Sequence, residues 1–180
     1  MLPDDLFRTV PALRTDRLDL VPLGPEHLEG TLALLSDPEA LRLTGTRQSF
    51  SREAVIAWLG SLSAQHDRAD WAVIRREDGA HIGEVVLNDV SPEDETTGFR
   101  IALSIEHAGK GYGTETTRAV VAFALEAGLH RVELEVYAFN PRAVRAYEKA
   151  GFVVEGRRRD ALLWEGERVD AIMMAVVADG

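Results

Sequence analysis

Leucines alternate with polar residues through LRTDRLDLVPL (13–23), the two-residue period of a half-buried strand. The period then lengthens. After Pro25, EHLEGTLALLSD (26–37) sets Leu28, Leu32 and Leu35 on one helical face, and SREAVIAWLGSLSAQH (51–66) predicts the next helix. Ser51 caps that helix, with Ala54, Ile56, Trp58, Leu59 and Leu62 supplying most of its apolar surface. DWAVIRRED (70–78) and HIGEVVLNDV (81–90) read as a hairpin around Asp78-Gly79. SPEDETT (91–97) is an acidic loop, and TGFRIALSI (97–105) is another strand. A helix follows from about Tyr112 to Ala127, stopped by Gly128. RVELEVYAF (131–139) alternates as a strand. NPRAVRAYEKAG (140–151) is a short helix with Asn140 as cap, Pro141 at its first position and Gly151 as its end. Residues 152–177 close the chain as two strands around Glu165-Gly166.

Strand, two helices, three strands, helix, strand, helix, strands: this order implies an α/β or α+β fold, a sheet covered by helices on both faces. The 180 residues suit one domain, 1–180, with its core over 13–177, and no linker or repeat divides it. No apolar stretch reaches the length of a membrane span, and MLPDDLFRTV lacks the basic and apolar regions of a secretory signal. A cytoplasmic protein with no membrane partner is the expectation. Without cysteine there is neither a disulfide framework nor a catalytic thiol, and no spacing suggests a metal site.

The net charge of −10 argues against a nucleic-acid partner, because neutralising phosphates needs an excess of Lys and Arg. That charge is unevenly spread. Residues 100–150 carry seven bases against six acids, so the acidity lies elsewhere. A locally basic rim in an acidic chain suits an anionic cosubstrate beside a cationic one; a plain solubilising surface is the blander alternative.

The candidate chemistry begins at AGKGYGTETT (108–117), where glycines stand at 109, 111 and 113 between a strand and a helix. That arrangement gathers free N–H groups at the positive end of a helix dipole, an anion site. It does not match the GxxxxGK[ST] phosphate loop, and Thr116 stands where a dinucleotide fingerprint needs its third glycine. A tight strand-to-helix turn alone would need one glycine or two.

The run from Ser104 to Gly156 resembles the GNAT superfamily of acyl-CoA-dependent N-acyltransferases, nearest to its RimJ/RimL-like branch. Two motifs carry the resemblance: Ala108-Gly109-Lys110-Gly111-Tyr112-Gly113, similar to the family's [RQ]-x-x-G-x-[GA] loop, and Asn140 followed by Tyr147-Glu148-Lys149-Ala150-Gly151-Phe152. Ala108 stands where the family has Arg or Gln, and Ala143 where relatives of this branch often carry serine. The resemblance implies a mixed, mostly antiparallel sheet of about seven strands with helices on both faces. It implies acetyl-CoA as acyl donor, held by Lys110, Gly111, Tyr112, Gly113 and Thr114 at its pyrophosphate, by Leu103, Ser104 and Ile105 along its pantetheine arm, and by Asn140 and Arg145. Arg118 and Arg142 are further candidates for its phosphates. The acceptor is an amine, a protein N-terminus or a cationic small amine such as a polyamine, and a homodimer is compatible with this reading.

An amine attacking a thioester must first lose a proton, and the leaving thiolate must gain one. Tyr147 matches the family position of the general acid; packing as a core aromatic is the alternative. For the base, Glu84 comes first, with Asp89, Glu93, Asp94, Glu95, His81 and His107 in reserve. Lacking cysteine, the chain favours direct transfer in a ternary complex over a thiol intermediate. A non-catalytic acyl-CoA-binding module is the competing class. The acidic SPEDETT loop would steer a cationic acceptor toward the site.

Overall fold

The structure, a computed structural model, describes residues 2–179. Its strands are β1 (Leu13–Arg14), β2 (Leu18–Pro22), β3 (Ala69–Arg75), β4 (His81–Ser91), β5 (Thr96–Leu103), β6 (Arg131–Tyr137), β7 (Val153–Trp164) and β8 (Glu167–Val177). The helices are α1 (Leu28–Leu35), α2 (Pro38–Thr44), α3 (Arg52–Ser61), α4 (Tyr112–Glu126) and α5 (Pro141–Lys149). The strands form one mixed sheet in the order β1-β2-β3-β4-β5-β6-β8-β7. Every neighbouring pair is antiparallel except β5 with β6. Among the described residues no helix is long and apolar enough to cross a membrane.

The eighth strand arises within residues 13–23, where the chain folds back on itself. Thr15 N–H donates to Leu18 O at 2.9 Å and Thr15 Oγ1 accepts from Leu18 N–H, closing a turn that splits the expected strand into β1 and β2. The acidic loop is shorter than expected, because β4 and β5 continue until Ser91 pairs with Thr96.

Strand alternation divides the core in two. Trp71 and Val73 of β3 face α4, joining Val120, Val121 and Ala124, whereas Ala72 between them faces α3 with Val55, Leu59 and Leu62. Helix α3 buries Leu59 as expected, and the expected Leu62 just after it, but Val55 takes the place of Ile56, which is 46% exposed. Helix α2 was not expected at all. Asp37 caps it by accepting from the N–H groups of Glu39 and Ala40, Pro38 opens it, and Gly45 ends it at φ +67°.

One feature of the sheet makes room for a ligand. The parallel pairing of β5 with β6 covers only Thr96–Gly98 against Arg131–Glu133. Beyond those residues the strands part, leaving the edge of β5 from Phe99 to Leu103 unpaired with β6.

Candidate active site

The parting of β5 and β6 opens into a cleft of 1190 Å³, walled by α2, β4, β5, β6, α5 and the start of α4. Gly111, Tyr112, Gly113 and Thr114 line one end. Gly111 caps α4 in the left-handed conformation at φ +84°, with no side-chain cap bond to the free N–H groups that follow. Gly113 differs from its neighbours. Its φ is unexceptional, and a Cβ there would meet Leu103 Cδ1 at 3.4 Å, an ordinary contact. Only the cleft side of Gly113 requires glycine, should a ligand come close.

A latch from the β1–β2 turn holds this loop. Arg17 pairs with Glu115 at 2.7 Å, donates through Nη1 to Lys110 O at 2.9 Å and lies 4.4 Å above the Tyr112 ring. Thr15 Oγ1 and Arg17 N–H also donate to the Glu115 carboxylate. Arg17 and Glu115 neutralise one another, so the carboxylate at the helix N-terminus adds little repulsion toward an anion. Sequence reasoning missed the latch because its halves lie 98 residues apart.

Two expected contacts fall elsewhere. Lys110 does not line the cleft, its carbonyl being turned to Arg17. Ser104 is also off the cleft wall, its N–H spent on Ile82 O at 2.8 Å, while Ile105 N–H reaches Asp37 Oδ2. The free backbone edge thus lies at Phe99–Leu103, just before the expected Leu103–Ile105. Asn140 and Arg145 line the cleft beside Arg142, and Asn140 Oδ1 also caps α5 by accepting from Ala143 N–H. Arg118 is not at the cleft and ties α4 to α5 through Lys149 O.

Tyr147 projects from α5 into the cleft wall, its ring 6.1 Å from Phe99 and 5.8 Å from Phe152. The ring is packed, as the core reading expects, and it also borders the cleft. Burial pushes its phenol well above the ordinary tyrosine range, so it holds its proton.

Glu84, on β4, forms part of the same wall. Its side chain is 19% exposed and accepts a hydrogen bond from Thr31 Oγ1 of α1. Burial raises its pKa to about 7, opposed by the Thr31 hydrogen bond and assisted by the nearby charge of Asp70. Asp70 itself is held by a bidentate Arg68 at 2.7 and 2.8 Å. Asp89 lies on the cleft in a bulge of β4 at φ +52°, bonded by Asn88. Of the reserve histidines, His107 faces Arg75 at 3.2 Å and His81 faces Glu84. Residues 91–97 do not line the cleft, so SPEDETT is no wall of the site and direct contact with an acceptor is set aside. Among the described residues no cluster of His, Asp or Glu could hold a metal ion.

A family model described as acetyltransferase (GNAT) domain matches residues 17–153. The FsC-acetyl coenzyme A-N(2)-transacetylase of Aspergillus fumigatus is 32% identical over 154 residues, 78% of this chain and 65% of that protein. The spermidine N(1)-acetyltransferase of Vibrio cholerae is 33% identical over 97 residues, 53% of this chain and 56% of that one. The chain thus matches between about half and two thirds of the length of these curated relatives. A crystal structure of the Vibrio cholerae spermidine N-acetyltransferase with CoA and spermine superposes with a TM-score of 0.84 at 22% identity, covering 91% of this chain and 96% of that one. At that identity the likeness shows the fold.

Proposed function

The chain belongs to the acetyltransferase (GNAT) family, and from that premise we propose that it is a single-domain enzyme transferring an acetyl group from acetyl-CoA to a primary amine. The observation that carries this reading is the position of Glu84, a largely buried carboxyl in the wall of a cleft that also takes in an uncapped helix N-terminus, where burial pushes its pKa up to about 7. A base poised near the working pH is what amine deprotonation needs. A module that only bound acyl-CoA would have no use for it.

The residues present fit the coenzyme. The N–H groups of Tyr112, Gly113 and Thr114 would receive its pyrophosphate, the free edge of β5 its pantetheine arm, and Asn140, Arg142 and Arg145 would stand by its remaining polar groups. Acetyl-CoA supplies the activated acyl group. Glu84 takes the first proton from the acceptor ammonium. As the C–S bond breaks, Tyr147, kept protonated by its burial, gives its proton to the departing sulfur. The second proton, which the nitrogen sheds on becoming an amide, restores the phenol. With no cysteine in the chain, direct attack in a ternary complex is the simplest course.

The acceptor is a small cationic amine such as a polyamine, or a protein N-terminus as the RimJ/RimL-like motifs imply. The names of relatives that act on spermidine support the former. A panel of polyamines, monoamines and N-terminal peptides, assayed for thiol release from acetyl-CoA, is expected to yield turnover with at least one class. Acetyl-CoA binding without turnover on any of them would favour the non-catalytic module instead.

A further inference from the structure

Three residues before Glu84, on the same strand, stands His81. Strand residues three apart ordinarily point to opposite faces. Here the register of β3 with β4 shifts: Val73 pairs with Gly83 but Ile74 with His81, leaving Ile82 as the extra residue of a bulge. The bulge turns the imidazole back toward the carboxyl, a reorientation that bulges characteristically produce. His81 Nε2 then lies 3.6 Å from Glu84 Oε1. That nitrogen is buried and has no hydrogen-bond partner of its own. On the far side, α1 comes so near that a Cβ on Gly30 would fall 1.9 Å from His81 Nδ1. A glycine inside a helix weakens it, and this one leaves space for the ring. His27 stands edge-on at 5.6 Å, its Nδ1 accepting from Gly24 N–H.

We propose that His81 is a proton-relay residue acting through Glu84: its Nε2 receives the proton that Glu84 has taken from the acceptor amine. The inference rests on the reading of Glu84 as base. In the first transfer the ammonium N–H bond breaks and a carboxyl O–H bond forms. In the second that O–H breaks, Nε2–H forms, and the carboxylate is restored. The imidazolium then loses a proton to water from its other ring nitrogen, Nδ1, the side chain being 12% exposed, and tautomer exchange frees Nε2 for the next turnover.

The surroundings suit a carrier that does not keep its charge. Burial and the neighbouring His27 both lower the pKa of His81, while the Gly83 backbone opposes them. The other groups about the pair are Glu26, 3.8 Å from His27 Nδ1, Thr31 of α1, and Asp70 of β3 with its partner Arg68 just before that strand. Opposite the pair, β5 presents the uncharged Ala102 to Glu84, and β3 presents Ile74 to His81.

The test compares wild type, Glu84→Gln and His81→Ala over a pH range, using the best amine of the panel and added imidazole. His81→Ala is expected to lower kcat by about tenfold or more, to leave KM for acetyl-CoA within about twofold, and to recover activity as imidazole is added. Lost packing alone would not be repaired by a soluble base in this concentration-dependent way. If His81→Ala keeps the wild-type rate and pH profile, or falls without any response to imidazole, the relay is overturned while Glu84 stands. A fully active Glu84→Gln, or a wild type without turnover, overturns the reading beneath it and the relay with it. Should His81→Ala not fold, imidazole nitrogen NMR on the wild type decides: the relay requires an unprotonated Nε2 near neutral pH, and a protonated one contradicts it.

Discussion

Replacing Glu84 with glutamine lowers kcat by about 10² to 10⁴ and leaves acetyl-CoA affinity nearly unchanged, the range expected when a positioned general base is removed. In the wild type, kcat/KM climbs with pH to a plateau above about 7, because only the ionised carboxyl accepts a proton. The same substitution has an opposite effect on stability. Burial raises the Glu84 pKa from 4.5 in the ordinary group to about 7 in the fold. Between those values the folded chain holds a proton that the unfolded chain has released, so stability falls as pH rises. Glu84's favourable share is full below the unfolded value and lost above the folded one, a change of about 3 kcal/mol. Glutamine cannot ionise and escapes that loss. Thermal melting should therefore show Glu84→Gln more stable than wild type at pH 8, with the advantage gone at pH 4. A variant that loses both activity and alkaline stability would mean that Glu84 is a structural anchor.

Gly113→Leu is the second large effect. Gly113 has ordinary helical φ, and a Cβ meets only Leu103 at contact distance, so the fold accepts a side chain there. A non-glycine residue in the first turn of α4 should even add about 0.5 kcal/mol of stability. The side chain would, however, occupy the cleft wall where, in the proposed complex, the coenzyme pyrophosphate approaches the loop backbone. Acetyl-CoA binding is expected to weaken more than about tenfold, or about 1.4 kcal/mol, by titration calorimetry. Gly111→Leu is less informative: at φ +84°, with Arg17 Nη2 3.2 Å from the new Cβ, the loop itself is strained. Unchanged affinity in a folded Gly113→Leu variant would remove the pyrophosphate from this loop.

Local signals carried most of the fold. The hairpin at Gly79, the stop of α4 at Gly128 and the cap of α5 at Asn140 stand where turn and cap chemistry put them. Helix α2 was equally legible in Asp37, Pro38 and Gly45, a full start-and-stop signature overlooked because its apolar stripe is short. The α3 face was misjudged by a single residue, since Val55 and Ile56 are both apolar and only the packing chooses between them. Long-range pairings left no trace in the sequence. The separation of β5 from β6 after Gly98 opens the cleft, yet nothing local marks residue 99 as the point of parting. Likewise the bulge that aims His81 at Glu84 depends on the register with β3, and the Arg17–Glu115 latch joins distant segments. Motif spacing singled out Gly111, Gly113, Asn140 and Tyr147 near the cleft, while Ser104 and Lys110 turned their backbone groups elsewhere.

Acetyl transfer by direct attack is most directly tested by a single-turnover experiment, with enzyme in excess over acetyl-CoA, run with and without the best amine of the panel. Thiol release and the masses of amine and intact protein are followed together. The expected result is no thiol without amine, and with amine one thiol per acetyl-CoA, the acetyl group appearing on the amine and never on the protein. Thiol released before any amine is added, with the acetyl group on a serine or threonine of the chain, would contradict the account.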